Sequence, residues 1–263
     1  MFQLFFSCLM IDSFVSPEII SQVDFDRHAA KWQQIITSRH HHHLQRCFHT
    51  AEDARMQYVR FPMQHIAWLV STVGIHHIEA RFLVMSEDEE SPRFALALYA
   101  ADARGLRISA YYLSAPQIAA TAPTPPLHAL TDPGAGAEQV PHYMVKKWLA
   151  NWRDAPELKP DMFVNSYGPL QGYTFSVGDF MKSLFESQPY GARELWVDLG
   201  LHEYYSASLS TQATYTFGLV LRLYQPLLQV QEASDGTADS QSPAAQQSAE
   251  PFYDMSTPCP PGF

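Results

Sequence analysis

Apolar residues recur at helical spacing in four stretches of this chain and alternate in five others. After Ser16-Pro17-Glu18 they fall at Ile19, Ile20, Val23, Ala30, Trp32, Ile35 and Ile36. That start combines a capping hydroxyl, a first-turn proline and an acid at the positive helix end, and it predicts an amphipathic helix to about Ser38. Pro62 opens a second helix carrying Met63, Ile66, Leu69, Val70 and Val73, and Gly74 closes it. The period then changes to two. Ile78, Ala80, Phe82 and Val84 form one strand, Phe94 to Ala100 a second, and Leu106 to Leu113 a third. Asp102-Ala103-Arg104-Gly105 is the turn between the last two, with Gly105 free to take positive φ.

The second half repeats the plan. Val145, Trp148, Leu149 and Trp152 share a helix face, and Ser176 caps a helix with Val177, Phe180, Met181, Leu184 and Phe185. Leu195, Val197, Leu199 and Leu201 alternate, as do Tyr215, Phe217, Leu219, Leu221 and Leu223. Laid over each other, Lys31-Trp32 matches Lys147-Trp148, and Phe61-Pro62-Met63 matches Phe175-Ser176-Val177. Ala80-Arg81 matches Ala192-Arg193, and Phe94 to Tyr99 matches Phe217 to Tyr224. The expected fold is α+β: two tandem helix-helix-antiparallel-strand units, related by duplication, followed by a disordered C-terminal tail. The boundaries are a first unit at 1–114, a Pro/Ala-rich linker at 115–139, a second unit at 140–229 and the tail at 230–263. Trp32 and Trp148 are expected at equivalent buried positions.

Charge narrows the choice of partners. Seventeen Lys+Arg against 27 Asp+Glu give a formal net charge of −10, and no basic patch stands out, which disfavours nucleic acid. Three cysteines at long spacings, Cys8, Cys47 and Cys259, do not make a disulfide framework and fit a reducing, cytoplasmic compartment. The apolar stretch Met1 to Met10 has no positive n-region and is too short to span a bilayer, so no membrane span is expected.

Two constellations could carry chemistry. The run His40 to His43, with Cys47 and His49, offers metal-ligand types, but adjacent histidines in a loop cannot all face one ion, so no structural metal is expected. Asp198 and His202 share one face of a strand and form a candidate general-base pair. A metal-dependent or acid-base hydrolase using His40-Cys47-His49 or Asp198/His202 is therefore the alternative reading. The acidic run Glu87 to Glu90 lacks the spacing of a calcium loop. No pattern calls for a cofactor. The five tryptophans sit at helical and strand spacings and read as packing.

Residues 230–250 are poor in apolar side chains, whereas the end is aromatic and then proline-rich: Phe252, Tyr253, Cys259, Pro260 and Pro261 are the candidate interaction residues. With its Lys-Trp helix, its paired strands and its Asp254 to Pro261 tail, the chain resembles a group of bacterial proteins of the Bacteroidota type. Gly262-Phe263 stands where that pattern has a second cysteine, and the resemblance implies no known activity. The function expected is non-catalytic: an interaction or scaffold protein that meets a protein partner through its C-terminal tail.

Overall fold

The computed structural model describes residues 19–38, 41–50, 54–85, 91–115, 142–165, 167–178, 180–181, 194–204, 213–224 and 256–258; of 41, 142, 223, 224 and 256–258 it describes the backbone only. The α+β class holds. The strands are β1 (Ile19–Ile20), β2 (Tyr58–Pro62), β3 (His77–Met85), β4 (Arg93–Ala101), β5 (Tyr111–Leu113), β6 (Val164–Asn165), β7 (Gly168–Pro169), β8 (Gly172–Ser176), β9 (Glu194–Tyr204), β10 (Thr214–Tyr224) and β11 (Ser256–Pro258). The helices are α1 (Gln22–Thr37), α2 (His41–Cys47), α3 (Met63–Val70) and α4 (His142–Asp154), with a 3-10 turn at Pro160–Phe163.

Two local starts differ from the sequence reading. Helix α1 begins six residues after Ser16, because Ser21 caps it: its hydroxyl accepts the Asp24 N–H at 3.1 Å and donates to the Asp24 carboxylate at 2.7 Å. Ile19 and Ile20 are taken instead by the sheet, opposite Tyr112 and Tyr111. The histidine run, read as a loop, enters helix α2. Leu44 and Cys47 on α2, with Phe48 just after it, are fully buried, and that burial anchors a helix too short to stand alone.

Strands β1-β5-β4-β3-β8-β11 form one sheet and β10-β9-β2 a second, all antiparallel. The expected alternation sets their inner faces: Ile78, Ala80, Phe82 and Val84 with Phe94, Leu96 and Leu98 on one, Leu195, Val197, Leu199 and Leu201 with Phe217, Leu219 and Leu221 on the other. These faces meet, with Phe217 against Phe82 and Phe94 at centroid distances of 5.4 and 6.0 Å. Helix α1 covers the outside of the six-stranded sheet, where Ala95, Ala97 and Ala101 leave room for Phe25 and Ala29. Helix α4 covers the outside of the other sheet. There a Cβ on Gly200 would lie 3.3 Å from the Trp148 Cβ, and one on Gly218 would meet the His202 imidazole at 2.3 Å.

The two halves share both sheets instead of standing side by side. A two-stranded hairpin is marginal by itself, and each hairpin is flanked on one side by a strand from the other half: β9–β10 by β2, and β3–β4 by β8. The crossing contacts recur in pairs. Trp32 Nε1 donates to the Leu170 carbonyl at 2.8 Å, two residues before β8; Trp152 Nε1 donates to the Met56 carbonyl at 2.7 Å, two residues before β2. The Phe82 N–H reaches the Gln171 carbonyl at 2.9 Å, and the Leu199 N–H reaches the Gln57 carbonyl at 2.8 Å. Met56 N–H bonds Phe48 O as Leu170 N–H bonds Phe163 O. Phe48 lies 4.6 Å from Phe94, and Phe163 lies 4.8 Å from Phe217.

These pairs correct the tryptophan assignment. Trp152, fully buried, is the counterpart of Trp32. Trp148 sits one helical turn earlier, stacked on His202 at 3.9 Å. A slip of one turn keeps a helix face, so the Lys-Trp match misled by four residues. In the ladders Ile78 holds toward Phe175 the place that Leu195 holds toward Phe61, and Phe94 holds toward Val84 the place that Phe217 holds toward Leu201; Ala192, set against Ala80 in the sequence, lies outside the described residues. We expect Trp32→Ala and Trp152→Ala each to lower unfolding free energy by roughly 3–5 kcal/mol in urea titrations.

Candidate interaction surface

The last strand of the six-stranded sheet on one side is β11, paired along the outer edge of β8. Ser256 lies opposite Phe175, Thr257 opposite Thr174 and Pro258 opposite Tyr173. Which backbone groups meet follows from the other side of β8. Gln171 O accepts from Phe82 N, and Val177 N donates to His76 O, so odd-numbered residues of β8 turn their N–H and C=O toward β3. Thr174 therefore turns its own N–H and C=O outward, where Thr257 forms the hydrogen-bonded pair. Pro258 faces Tyr173 at a non-bonded position, where a missing N–H loses nothing. Gly172 starts the strand at φ +155°; a Cβ there would lie 2.1 Å from the Ala80 carbonyl oxygen, so only glycine fits. On the inner side the Tyr173 hydroxyl donates to the Phe217 carbonyl at 2.5 Å, tying this edge to the other sheet.

The matching edge of the second sheet is β2. Odd-numbered residues face β9, and Arg60 turns outward, exchanging both backbone bonds with Ala115: Arg60 N–H to Ala115 O at 3.1 Å, and Ala115 N–H to Arg60 O at 2.9 Å. Beside it lies a charged and aromatic cluster on the outer face. Arg222 Nε and Nη2 donate to the Asp198 carboxylate at 3.0 and 3.1 Å, with both residues buried. The Arg222 guanidinium sits 4.9 Å over Trp196, which stacks on Tyr58 at 4.2 Å. Arg60 pairs with Glu194 at 2.6 Å, and Glu194 also accepts the Trp196 indole N–H at 2.9 Å. Burial pushes the Asp198 carboxyl up, against the opposing pull of Arg222.

The residues singled out from sequence fall as follows. Asp198 and His202 do share a face of β9, but with Gly200 between them they stand about 13 Å apart along the strand. Asp198 is held by Arg222, and His202 lies between Trp148 and Gly218. Cys47 is fully buried, and burial pushes its thiol up to about 12, which disfavours the thiolate a metal or an electrophile needs. His49 forms an isolated bridge with Arg55, and no group of three His, Cys, Asp or Glu able to hold an ion occurs among the described residues. His40 and the acidic run 87–90 lie outside those residues, as do Phe252, Tyr253, Cys259, Pro260 and Pro261. Of the tail, set apart from the fold by its composition, Ser256–Pro258 is a strand of the sheet.

Sequence reasoning passed over His65. It is 1% exposed on α3, against Tyr112 at 5.0 Å and Trp68 at 5.8 Å, and neither ring nitrogen has a hydrogen-bond partner among the described residues. Its signal was its place among Ile66, Leu69 and Met63 on an apolar face. An open cleft of about 420 Å³ is lined, among the described residues, by Asp161, Val164, Asn165, Tyr204 and Thr216, with one carboxylate among them. No helix among the described residues is long and apolar enough to cross a membrane. Compared with known proteins, the chain matches no family model, no curated sequence and no solved structure.

Two outcomes are expected. Asp198→Asn leaves the buried Arg222 without its counter-charge and should lower stability by roughly 3–5 kcal/mol in denaturant titrations. Burial depresses the His65 imidazole from 6.5 to about 4. The folded state thus disfavours protonation, so this contribution is whole above about pH 6.5 and is lost as pH falls toward 4. Thermal melts of the wild type across that window should fall more steeply than those of His65→Leu.

Proposed function

We propose that this is a non-catalytic interaction protein whose recognition element is the segment around Ser256–Pro258. The observation that carries the reading is the pairing of that segment with β8 after a long stretch rich in Ser, Gln and Ala. A segment that engages a sheet edge through its main chain uses groups every partner edge also presents, which is the chemistry of strand addition. The candidates for catalysis are otherwise engaged: Asp198 by Arg222, His202 by Trp148, and Cys47 by burial. The paired contacts Trp32–Leu170 and Trp152–Met56 also support reading the halves as copies of one duplicated unit. The flanking Phe252, Tyr253, Cys259, Pro260 and Pro261 supply the aromatic and stiff elements of the recognised peptide.

The test is affinity recovery from the native host by the whole chain and by a chain lacking 251–263. We expect a protein retained by the first to be lost from the second. Equal recovery by both sinks the reading.

A further inference from the structure

The β2 and β8 edges are counterparts, and their occupants are too. Arg60 and Thr174 hold the same place: each lies one residue before the phenylalanine, Phe61 or Phe175, that pairs with the start of a hairpin, opposite Leu195 or Ile78. Each turns its backbone groups outward. Arg60 takes Ala115, and Thr174 takes Thr257. The two occupants also match in sequence. Tyr111-Tyr112-Leu113-Ser114-Ala115-Pro116 sets against Tyr253-Asp254-Met255-Ser256-Thr257-Pro258, with tyrosine, serine and proline identical and leucine facing methionine. The alignment that puts Ala115 on Thr257 comes from the ladders alone, and the residues then agree.

The first closing segment is fixed from both sides. Tyr112 and Leu113 pair with Leu98 and Ala97, and the Ser114 N–H and hydroxyl bond Leu96 at 2.8 and 2.9 Å. The second has β8 as its partner strand among the described residues, and it offers one hydrogen-bonded pair there. It is joined to β10 by the whole stretch 225–255, whose contour length is on the order of 100 Å.

We propose that the outer edge of β8 is a strand-docking site for the Tyr253–Pro258 segment, and that copies of the chain exchange this segment with one another. The proposal rests on reading the segment as a recognition element and names its partner as a second copy. The same backbone bonds form whether the strand comes from its own chain or from a neighbour, so exchange sacrifices no contact. The tether holds the chain's own strand near the edge at about millimolar effective concentration, which favours self-docking in dilute solution. Once docked, the segment ends the sheet. Pro258 turns its nitrogen outward without a hydrogen, so the new edge lacks a donor there and resists further strands.

The test uses the full chain and a labelled peptide of residues 252–263, read by fluorescence anisotropy. Thr257→Pro removes the N–H that faces Thr174, so the variant's own segment competes less. We expect it to bind the peptide about tenfold or more tightly than the wild type does. A peptide N-methylated at Thr257 should lose binding, and one N-methylated at Ser256, whose N–H points away from β8, should keep it. A second reading needs no peptide: exchange of the Thr174 amide hydrogen should be slow in the wild type and faster in Thr257→Pro. The proposal is overturned if the two chains bind the peptide alike, if both methylations act alike, or if Thr174 exchanges equally fast in both chains. The function reading fails separately, when partner recovery ignores the loss of 251–263 while these peptide results hold.

Discussion

Two indole hydrogen bonds hold the strands that cross between the halves of this protein. Trp32 fixes the approach to β8, and Trp152 fixes the approach to β2. A buried indole N–H without an acceptor is a liability, and here each one is satisfied by a carbonyl of the opposite half. Around them Phe48, Phe94, Phe163 and Phe217 fill the space between the sheets, with Trp32 5.5 Å from Phe163 and Trp152 5.0 Å from Phe48. Sheet pairing, helix placement and the position of both outer edges follow from that arrangement. The β9–β10 hairpin has its third strand from the other half, and the inner edge of β3 is covered by β8 from the other half.

Much of the local structure was legible. Period-two alternation placed β3, β4, β9 and β10 and named their inner faces, because a half-buried strand must alternate. Capping and proline rules found the neighbourhood of α1 and α3. Two features were not legible. The exchange of β2 and β8 leaves no trace in local periodicity, since a strand reads the same whichever hairpin it joins. The one-turn slip from Trp152 to Trp148 was invited by the lysines that precede Trp32 and Trp148. Both tryptophans lie on the α4 face turned to the protein, and only the acceptor, Met56 O, tells them apart.

The candidate chemistry was harder to judge, because residue types on one strand face say nothing about what lies across from them. Asp198 looked free to act on His202; the strand opposite supplies Arg222 instead, and a glycine row separates the two. Cys47 entered only the alternative metal reading; Leu44 and Phe48 beside it are buried with it. The tail's composition argued against folding, yet three of its residues need only an edge with one outward-facing backbone pair. Composition reports on side-chain burial, and strand addition asks little of side chains.

The crossing of β2 and β8 also bears on how the chain is made. As the polypeptide leaves the ribosome, the β3–β4 hairpin emerges with Phe82 and Phe94 able to meet Trp32 and Phe48 but not Phe217, and the Gln171 carbonyl that Phe82 bonds arrives about 90 residues later. At about 5–20 residues per second, that is a wait of several seconds or more. The nascent first half must spend that time with an open apolar face, and the second half offers no refuge until β8 and Phe217 have both been synthesised. A protein wired this way completes its core late, and its early half is the part that depends most on being shielded during synthesis.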